Sequence, residues 1–370
     1  MSRQEARTNR RRILIGAGAT LALGAAGGVA WRTSTGSSGD YDRWAAQFRA
    51  PLTDAPPVTE LIRYAALAAS GHNTQPWRFG LSDGAVDILP DLSRRTPAVD
   101  PDDHHLFVSL GCAAENLRIA AGATGRPGEL TVGPDGRSLR YSFTSGSAQP
   151  DPLFAAIPAR RSSRTVYDGR LIPANALAQL RQAAAAPGVA VHLLTDRPSL
   201  DRVRELVVAG NTAQMADPAF MAELKQWLRF NPRAALRQGD GLFSAASGSP
   251  VLPDGLGRLA FDRFFTAASE NARYEAQIGS SAAVAVFVAE RSDPAHWIAV
   301  GRACQRLMLA ATGLGLRHAF VNQPVEVAAL RPELAALVGE GDKRPNLVLR
   351  LGYGPTLPLS PRRSVEAVIV

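Results

Sequence analysis

The chain has 370 residues, 46% of them hydrophobic and 20% charged, with a formal net charge of +8. That length allows about two domains with a substantial core, and the composition is that of an ordinary globular protein. The first thirty residues hold five Arg against one Glu, so the rest carries only about +4, with Arg thinly spread among few aromatics. This excludes a nucleic-acid footprint, and the two Cys form neither a disulfide framework nor a zinc site.

Asn9-Arg10-Arg11-Arg12 precedes a charge-free run from Ile13 to Ala30 dominated by Gly and Ala. A basic n-region, an apolar h-region and small residues Gly28 and Ala30 before Trp31 predict an export signal over residues 1–31, of the kind taken by the twin-arginine translocation machinery. The alternative is an N-terminal membrane anchor, since the run is about long enough to span. Residues 32–55, rich in Ser, Thr and Gly from Thr33 to Gly39, read as a flexible linker.

Pro56-Pro57 leads a helix that stops at Gly71, followed by the turn Asn73-Thr74-Gln75-Pro76-Trp77. Arg78 to Leu81 and Gly84 to Leu89 alternate as a hairpin, and Glu129 to Val132 with Leu139 to Phe143 flank Pro134-Asp135-Gly136 as a second. Near Pro152 a second half begins; the stretch 229–271, rich in Gly, Ser, Pro and Phe, interrupts it. Ser280 to Ala289 is a continuous β-like run, buried on both faces, and Asn346 to Leu351 is another strand. Helices mixed with a few strands predict an α+β fold.

The two halves repeat. Gly111 to Gly125 lies on Gly301 to Gly315 without a gap, Gly, Ala, Leu, Ala-Ala and the closing Gly coinciding, and each reads as a buried helix with a Gly stop. Leu61 to Gly71 likewise resembles Leu177 to Gly188, giving domains over 56–150 and 151–370. Ser70-Gly71-His72-Asn73-Thr74-Gln75-Pro76-Trp77 and Arg160-Arg161-Ser162-Ser163-Arg164 each occur once, which predicts one working site. Taken singly these segments are bland: Arg-Arg-Ser as a solvated helix cap, Trp77 as core, Arg362 and Arg363 as a basic tail. Asp102-Asp103-His104-His105 reads as a helix start with acidic caps and no metal, because adjacent side chains point apart.

In this order, the Arg-Arg-Ser and Asn-x-Gln-Pro-Trp segments, the Ala-Ala-Thr-Gly-Leu-Gly helix end, Gly352-Tyr353-Gly354 and Pro361-Arg362-Arg363 resemble the FMN-dependent nitroreductase family. The tandem halves with an inserted lid are similar to its Acg-like branch. The resemblance implies two tandem nitroreductase-like domains forming an intramolecular pseudo-dimer, a monomer with one FMN at the seam. Arg160, Ser162 and Arg362 would then hold the phosphate and ribityl oxygens, with Arg363 able to substitute for Arg362 and Arg161 a lesser member of the cofactor-binding set, and Arg164 would lie near the pyrimidine edge. Ser70 and Asn73 would cap the ring, Gln75 and Trp77 shape the turn, and Asn322-Gln323 lie near flavin N5, with Asn211 a weaker candidate at the pyrimidine edge. The implied activity passes electrons from NAD(P)H, or another reductant, through the flavin to nitroaromatic or quinone-like acceptors, with no catalytic side chain required and no role for His72 or His318. The alternative is an FMN-sequestering protein, in which Phe243, Phe261, Phe264 and Phe265 of a lid over 229–271 shut the ring away.

Overall fold

The computed structural model describes Gly28 and residues 30–370, so the expected signal or anchor over 1–31 lies almost wholly outside the described residues. Among those described, no helix is long and apolar enough to cross a membrane. The expected linker over 32–55 is structured instead. Ser37 accepts the Asp40 amide and caps helix α1 (Ser38–Gln47). Tyr41 and Ala45 of α1 are buried, with the Tyr41 ring 4.6 Å from that of Phe243. The Ser and Gly content outweighed the helical spacing of Tyr41, Trp44, Ala45 and Phe48.

The first half contains α2 (Val58–Ala65), β1 (Trp77–Ser82), β2 (Ala85–Pro90), α3 (His104–Ala123), β3 (Gly128–Val132) and β4 (Leu139–Phe143). Its antiparallel sheet has the order β1-β2-β4-β3. Asp83-Gly84, with Gly84 at φ +66, closes the first hairpin, and the Asp135 carboxylate accepts the Arg137 and Ser138 amides to close the second.

The second half opens with α4 (Ala174–Ala184) and β5 (Val189–Leu194). A long excursion follows, through α5 (Arg197–Ala216), α6 (Pro218–Trp227), β6 (Leu228–Arg229), α7 (Pro232–Gln238), β7 (Leu242–Phe243), α8 (Asp254–Phe264) and α9 (Ala267–Gly279). The chain then makes β8 (Ala283–Ala289), α10 (Pro294–Gly313), β9 (Arg317–Phe320), α11 (Gln323–Glu326), α12 (Arg331–Leu337) and β10 (Pro345–Gly352). The order β5-β8-β10-β9, again antiparallel, matches the first sheet strand for strand, with α10 where α3 stands. The fold is therefore α+β with one topology used twice. The expected 229–271 insertion is the middle of the longer excursion between β5 and β8, where the first half has only the Asp83-Gly84 turn.

The halves meet along α3 and α10. Asn116 Oδ1 accepts from Gln305 Nε2 at 2.8 Å, and Arg306 Nη1 donates to Glu115 Oε1 at 3.2 Å. In the repeat Glu115 aligns with Gln305 and Asn116 with Arg306, so these two contacts exchange under the swap. Small residues of both helices permit the close approach, and the core runs through the seam without a break. Two isolated bridges extend the sheets: Ser162, in the segment that leads into the second half, bridges His318 of β9, and Ile369 at the C-terminus crosses to bridge Phe79 of β1.

Candidate functional site

The turn after α2 is strained. His72, Asn73 and Gln75 all have φ between +46 and +54, a region that costs about 1–3 kcal/mol for a residue with a side chain. The amides of Asn73 and Gln75 hold it there. Asn73 Nδ2 donates to the Gly241 and Pro361 carbonyls at 3.0 and 3.1 Å, and its Oδ1 accepts from Arg362 Nη1 at 3.0 Å. Gln75 Nε2 donates to the Gly239 carbonyl at 2.8 Å, and its Oε1 accepts the Arg363 amide at 2.9 Å. These two side chains therefore fasten the excursion and the C-terminal tail onto the turn, and neither lines the cavity below. Trp77 is wholly buried in the core. Arg363 is engaged with Gln75, the Ala367 carbonyl and Asp91.

Behind the turn four guanidiniums gather. Arg160 and Arg362, 5% and 3% exposed, both donate to the Leu67 carbonyl, at 3.1 and 3.0 Å. Arg362 also reaches the Ala68 carbonyl. Arg161, half-buried, donates to the Leu357 carbonyl, and Arg49, which sequence reasoning missed, donates to the Ala45 and Ser360 carbonyls. The Nε of Arg160 and of Arg362 are buried without a partner among the described residues. Among the described residues no carboxylate pairs with any of the four. Burial, then mutual repulsion, pulls Arg49 and Arg160 down to about 10, and lowers Arg362 for the same reasons. Buried positive charge without a counter-ion is costly unless an anion completes it. The loop that presents Arg160 is fixed by Arg350, whose Nη2 donates to the Ser163 and Thr165 carbonyls, and by the Ser163 amide on the His318 carbonyl.

Next to this cluster lies a cavity of about 250 Å³, walled by both halves and the excursion. Ala69 and Ser70, which follow the carbonyls held by Arg160 and Arg362, form part of its wall together with Cys112. The Cys112 thiol, buried beside Arg160, is pushed up to about 12 by that burial and acts as packing. Of the expected site residues, Ser70, Arg164, Asn322 and Gln323 line the cavity, as does Asn211. Arg164 is lowered by burial and by Arg273 and makes no side-chain hydrogen bond among the described residues, so its guanidinium is free to meet a ligand. Gln323 Oε1 is buried and has no partner among the described residues. Asn322 Oδ1 accepts the Val348 amide and so closes the sheet. Ser162 stands outside the wall, bridged to His318. Of the four expected lid aromatics only Phe265 lines the cavity: Phe243 packs on Tyr41, Phe261 sits among Leu224 and Phe230, and Phe264 is exposed.

The metal question turns on hydrogen bonds. Asp100, His104 and His105 bring ligand-type atoms within 4.8 Å of one another. Asn346 Oδ1, however, accepts the Ala289 amide, which orients its Nδ2 to donate to His104 Nε2 at 3.0 Å. His104 Nε2 is thus used as an acceptor and Nδ1 must carry the proton, leaving neither nitrogen for a metal. Asp100 accepts the His105 and Leu106 amides, and it caps α3 in place of the expected Asp102 and Asp103.

No family model matches the chain. Two proteins of Mycobacterium tuberculosis (strain ATCC 25618 / H37Rv) are similar over most of their lengths. "Putative NAD(P)H nitroreductase Rv3131" is 27% identical over 332 residues, covering 85% of this chain and 92% of its own. "Putative NAD(P)H nitroreductase acg" is 25% identical over 328 residues, covering 84% and 94%. Among solved structures, the FMN-dependent nitroreductase NfnB from Mycobacterium smegmatis in complex with NADPH overlaps 58% of this chain and 96% of its own, at 15% identity and a TM-score of 0.38.

Proposed function

We propose that the chain is an FMN-binding oxidoreductase of nitroreductase type. In this reading two nitroreductase-like domains form a pseudo-dimer within a monomer, hold one FMN at the seam, and pass electrons from NAD(P)H to nitroaromatic or quinone-like acceptors. The observation that carries it is the cluster of buried Arg49, Arg160 and Arg362 with half-buried Arg161, unpaired with any carboxylate among the described residues and set behind the Ala69–Ser70 wall of a cavity lined by both halves. A flavin phosphate is a dianion that guanidinium forks hold by charge-assisted hydrogen bonds, and the unpartnered Nε of Arg160 and Arg362 are donors of that kind. Arg164 faces the cavity as a cation for the pyrimidine edge, while Ser70, Asn322 and Gln323 supply short polar contacts to the ring. When bound, the flavin supplies the hydride and electron chemistry, and the protein supplies position, charge and exclusion of water. The names of the two mycobacterial relatives agree with this reading.

The test is the visible spectrum of the purified chain, followed by acid release of the pigment and its quantitation. One FMN per chain, in a species of monomeric mass, is expected. Colourless protein that takes up no added FMN would overturn the reading.

A second reading, an FMN-sequestering protein, is favoured by the clamp that Asn73 and Gln75 place on Gly239 to Gly241 of the excursion. Steady-state oxidation of NADPH with a quinone separates the two, since a sequestering protein turns over no faster than free flavin. For location the basic, apolar stretch over 1–31 supports export by the twin-arginine route, with an N-terminal anchor as the alternative.

A further inference from the structure

Helix α8 leaves an apolar stripe uncovered. Its inner side is packed: Phe261 lies among Leu224 and Phe230, and a Cβ on Gly257 would overlap the Phe230 ring. On its outer side Leu256, Leu259 and Arg263 follow one another at helical spacing, with Ala260 and Phe264 beside them. Leu256, Leu259 and Phe264 are 51%, 64% and 71% exposed. Single exposed apolar side chains are ordinary, whereas a row of them along one helix marks a surface that meets something.

The free charge around this stripe is positive. Both acids of α8 are occupied: Asp254 accepts from Asn231 Nδ2 at 2.8 Å, and Asp262 accepts from Lys225 Nζ at 2.5 and 2.6 Å. Arg258 and Arg263 are exposed and form no ion pair among the described residues. Asn231, the cap of α7, also donates to the Leu252 carbonyl at 3.0 Å, so the start of α7 lies against the start of α8. Arg233 of α7 in turn donates to the Thr33 carbonyl at 2.7 Å, and Gly36 packs on its backbone. Residues 30–35, helical and carrying the exposed Trp31 and Arg32, therefore leave the fold near α8. The charge-free run from Ile13 to Ala30 joins the chain at that point.

We propose that the outer face of α8 docks the protein on an anionic phospholipid bilayer. Leu256, Leu259 and Phe264 enter the boundary between headgroups and acyl chains, while Arg263 lays its stem along them and keeps its guanidinium at the phosphates. Trp31 has the amphipathic ring that settles at the same depth. Whether residues 1–31 serve as signal or as anchor, they bring this side of the fold to a membrane. A protein partner would have to supply both apolar cover and acidic groups, and an anionic bilayer supplies both. The stripe also runs on into the excursion's part of the cavity wall: Phe265, next to exposed Phe264, stacks on Phe261 at 4.6 Å and lines the cavity. The inference goes beyond the flavin reading and does not depend on it.

The two native Cys are both buried, so a Cys introduced at the surface can be labelled alone. The experiment places the environment-sensitive dye NBD on full-length Leu259→Cys and adds vesicles of phosphatidylglycerol and phosphatidylcholine in equal parts. The emission is expected to brighten and shift to the blue, less so with phosphatidylcholine alone, and Leu256→Cys should behave in the same way. Adding Arg263→Gln to Leu259→Cys should raise the lipid concentration at half-signal about fivefold. Dye on Val132→Cys, exposed on the edge strand β3 of the first half, should keep its aqueous emission. Aqueous emission at position 259 in the presence of vesicles overturns the proposal, as does an Arg263→Gln midpoint that does not move. An equal shift at position 132 also overturns it, since the chain then adsorbs without using α8. Blue emission at position 259 before lipid is added means that another part of the chain or a second copy already covers the stripe, and overturns it too; loss of that emission on dilution would identify the second copy.

Discussion

Gly111 and Gly301 occupy reciprocal positions where α3 crosses α10. A Cβ on Gly111 would overlap the Ile298 carbonyl and lie 3.1 Å from the Arg302 nitrogen; one on Gly301 would overlap the Val108 carbonyl and lie 3.1 Å from the Cys112 nitrogen. Ile298 and Arg302 stand to Gly301 as Val108 and Cys112 stand to Gly111. The axis relating the halves therefore runs between the two glycines, at a point where both opposing atoms belong to rigid helical backbone. Gly111→Ala and Gly301→Ala should each cost about 3 kcal/mol, because neither helix can yield without its partner. Urea denaturation checks this, and the double variant should lose less than the sum, since helices already parted by one methyl accommodate the second.

The repeat was legible because its signal is physical. A helix buried on all sides must be small and uncharged at the crossing, and a strand buried on both faces, such as β8, must be apolar throughout. Arg160, Arg161 and Arg362 were legible as a group, and Ser70, Arg164, Asn322 and Gln323 reach the cavity. Arg49 was not, because a coil-like composition concealed the helix that delivers it. The clamping use of Asn73 and Gln75 could not be read either, since their partners are main-chain atoms of Gly239, Gly241 and Pro361, which leave no mark on side-chain pattern. His105 was set aside with its neighbour on the ground that adjacent helical residues diverge. The two rings nevertheless lie 4.5 Å apart at the start of α3, where Asp103 takes a left-handed conformation.

Arg160 and Arg362 should separate when mutated. Arg160 makes a single backbone hydrogen bond and is surrounded by other cations, so Arg160→Met should leave the flavin-free chain at least as stable as the wild type. Its FMN affinity should fall about tenfold or more, the loss of one charge-assisted bond of roughly 1.5–3 kcal/mol. Arg362 holds Asn73 and the Leu67, Ala68 and Pro361 carbonyls, so Arg362→Ala should weaken both FMN binding and the apo fold, the latter by about 3 kcal/mol. Thermal melts of the apo variants alongside FMN titrations distinguish the two effects.

The acid side of the stability curve should respond oppositely to two substitutions. Burial, aided by Arg164 and His105, lowers His72 from 6.5 to about 4, so between those values the unfolded chain takes up a proton that the fold refuses. Its contribution is complete above pH 6.5 and disappears as the pH falls toward 4. Burial raises Asp100 from 3.8 to about 6, so here the fold holds a proton that the unfolded chain has lost, and stability declines as the pH climbs through that range. Measured against wild type between pH 4 and 6.5, His72→Asn should flatten the rise of stability with pH by close to one proton, and Asp100→Asn should steepen it. Asn suits His72 because it tolerates the left-handed backbone at φ +46. Equal slopes in all three proteins would refute the assignment.

Asp240 decides whether the excursion is a fixed wall or a working lid. Its carboxylate pairs with Arg94 of the first half and with Arg229 Nη2 at 2.6 Å. Gly239 and Gly241 on either side have φ of +66 and +75, and Gln75 and Asn73 hold their carbonyls. Asp240→Ala leaves buried Arg229 without its carboxylate, a loss of about 3 kcal/mol concentrated in this loop. The Gly241 amide, which donates to the Asn73 carbonyl at 3.2 Å, should then exchange with solvent at least about tenfold faster, while amides of β8 keep their protection. Equal acceleration in β8 would mean global destabilisation and no separate clamp. With the clamp released, the direction of NADPH turnover becomes informative. A rise means that the wild-type loop suppresses catalysis, as a sequestering protein requires. A fall means that Leu228 and Leu242, which flank this loop and line the cavity, form a wall that an oxidoreductase needs in place to keep water from the ring.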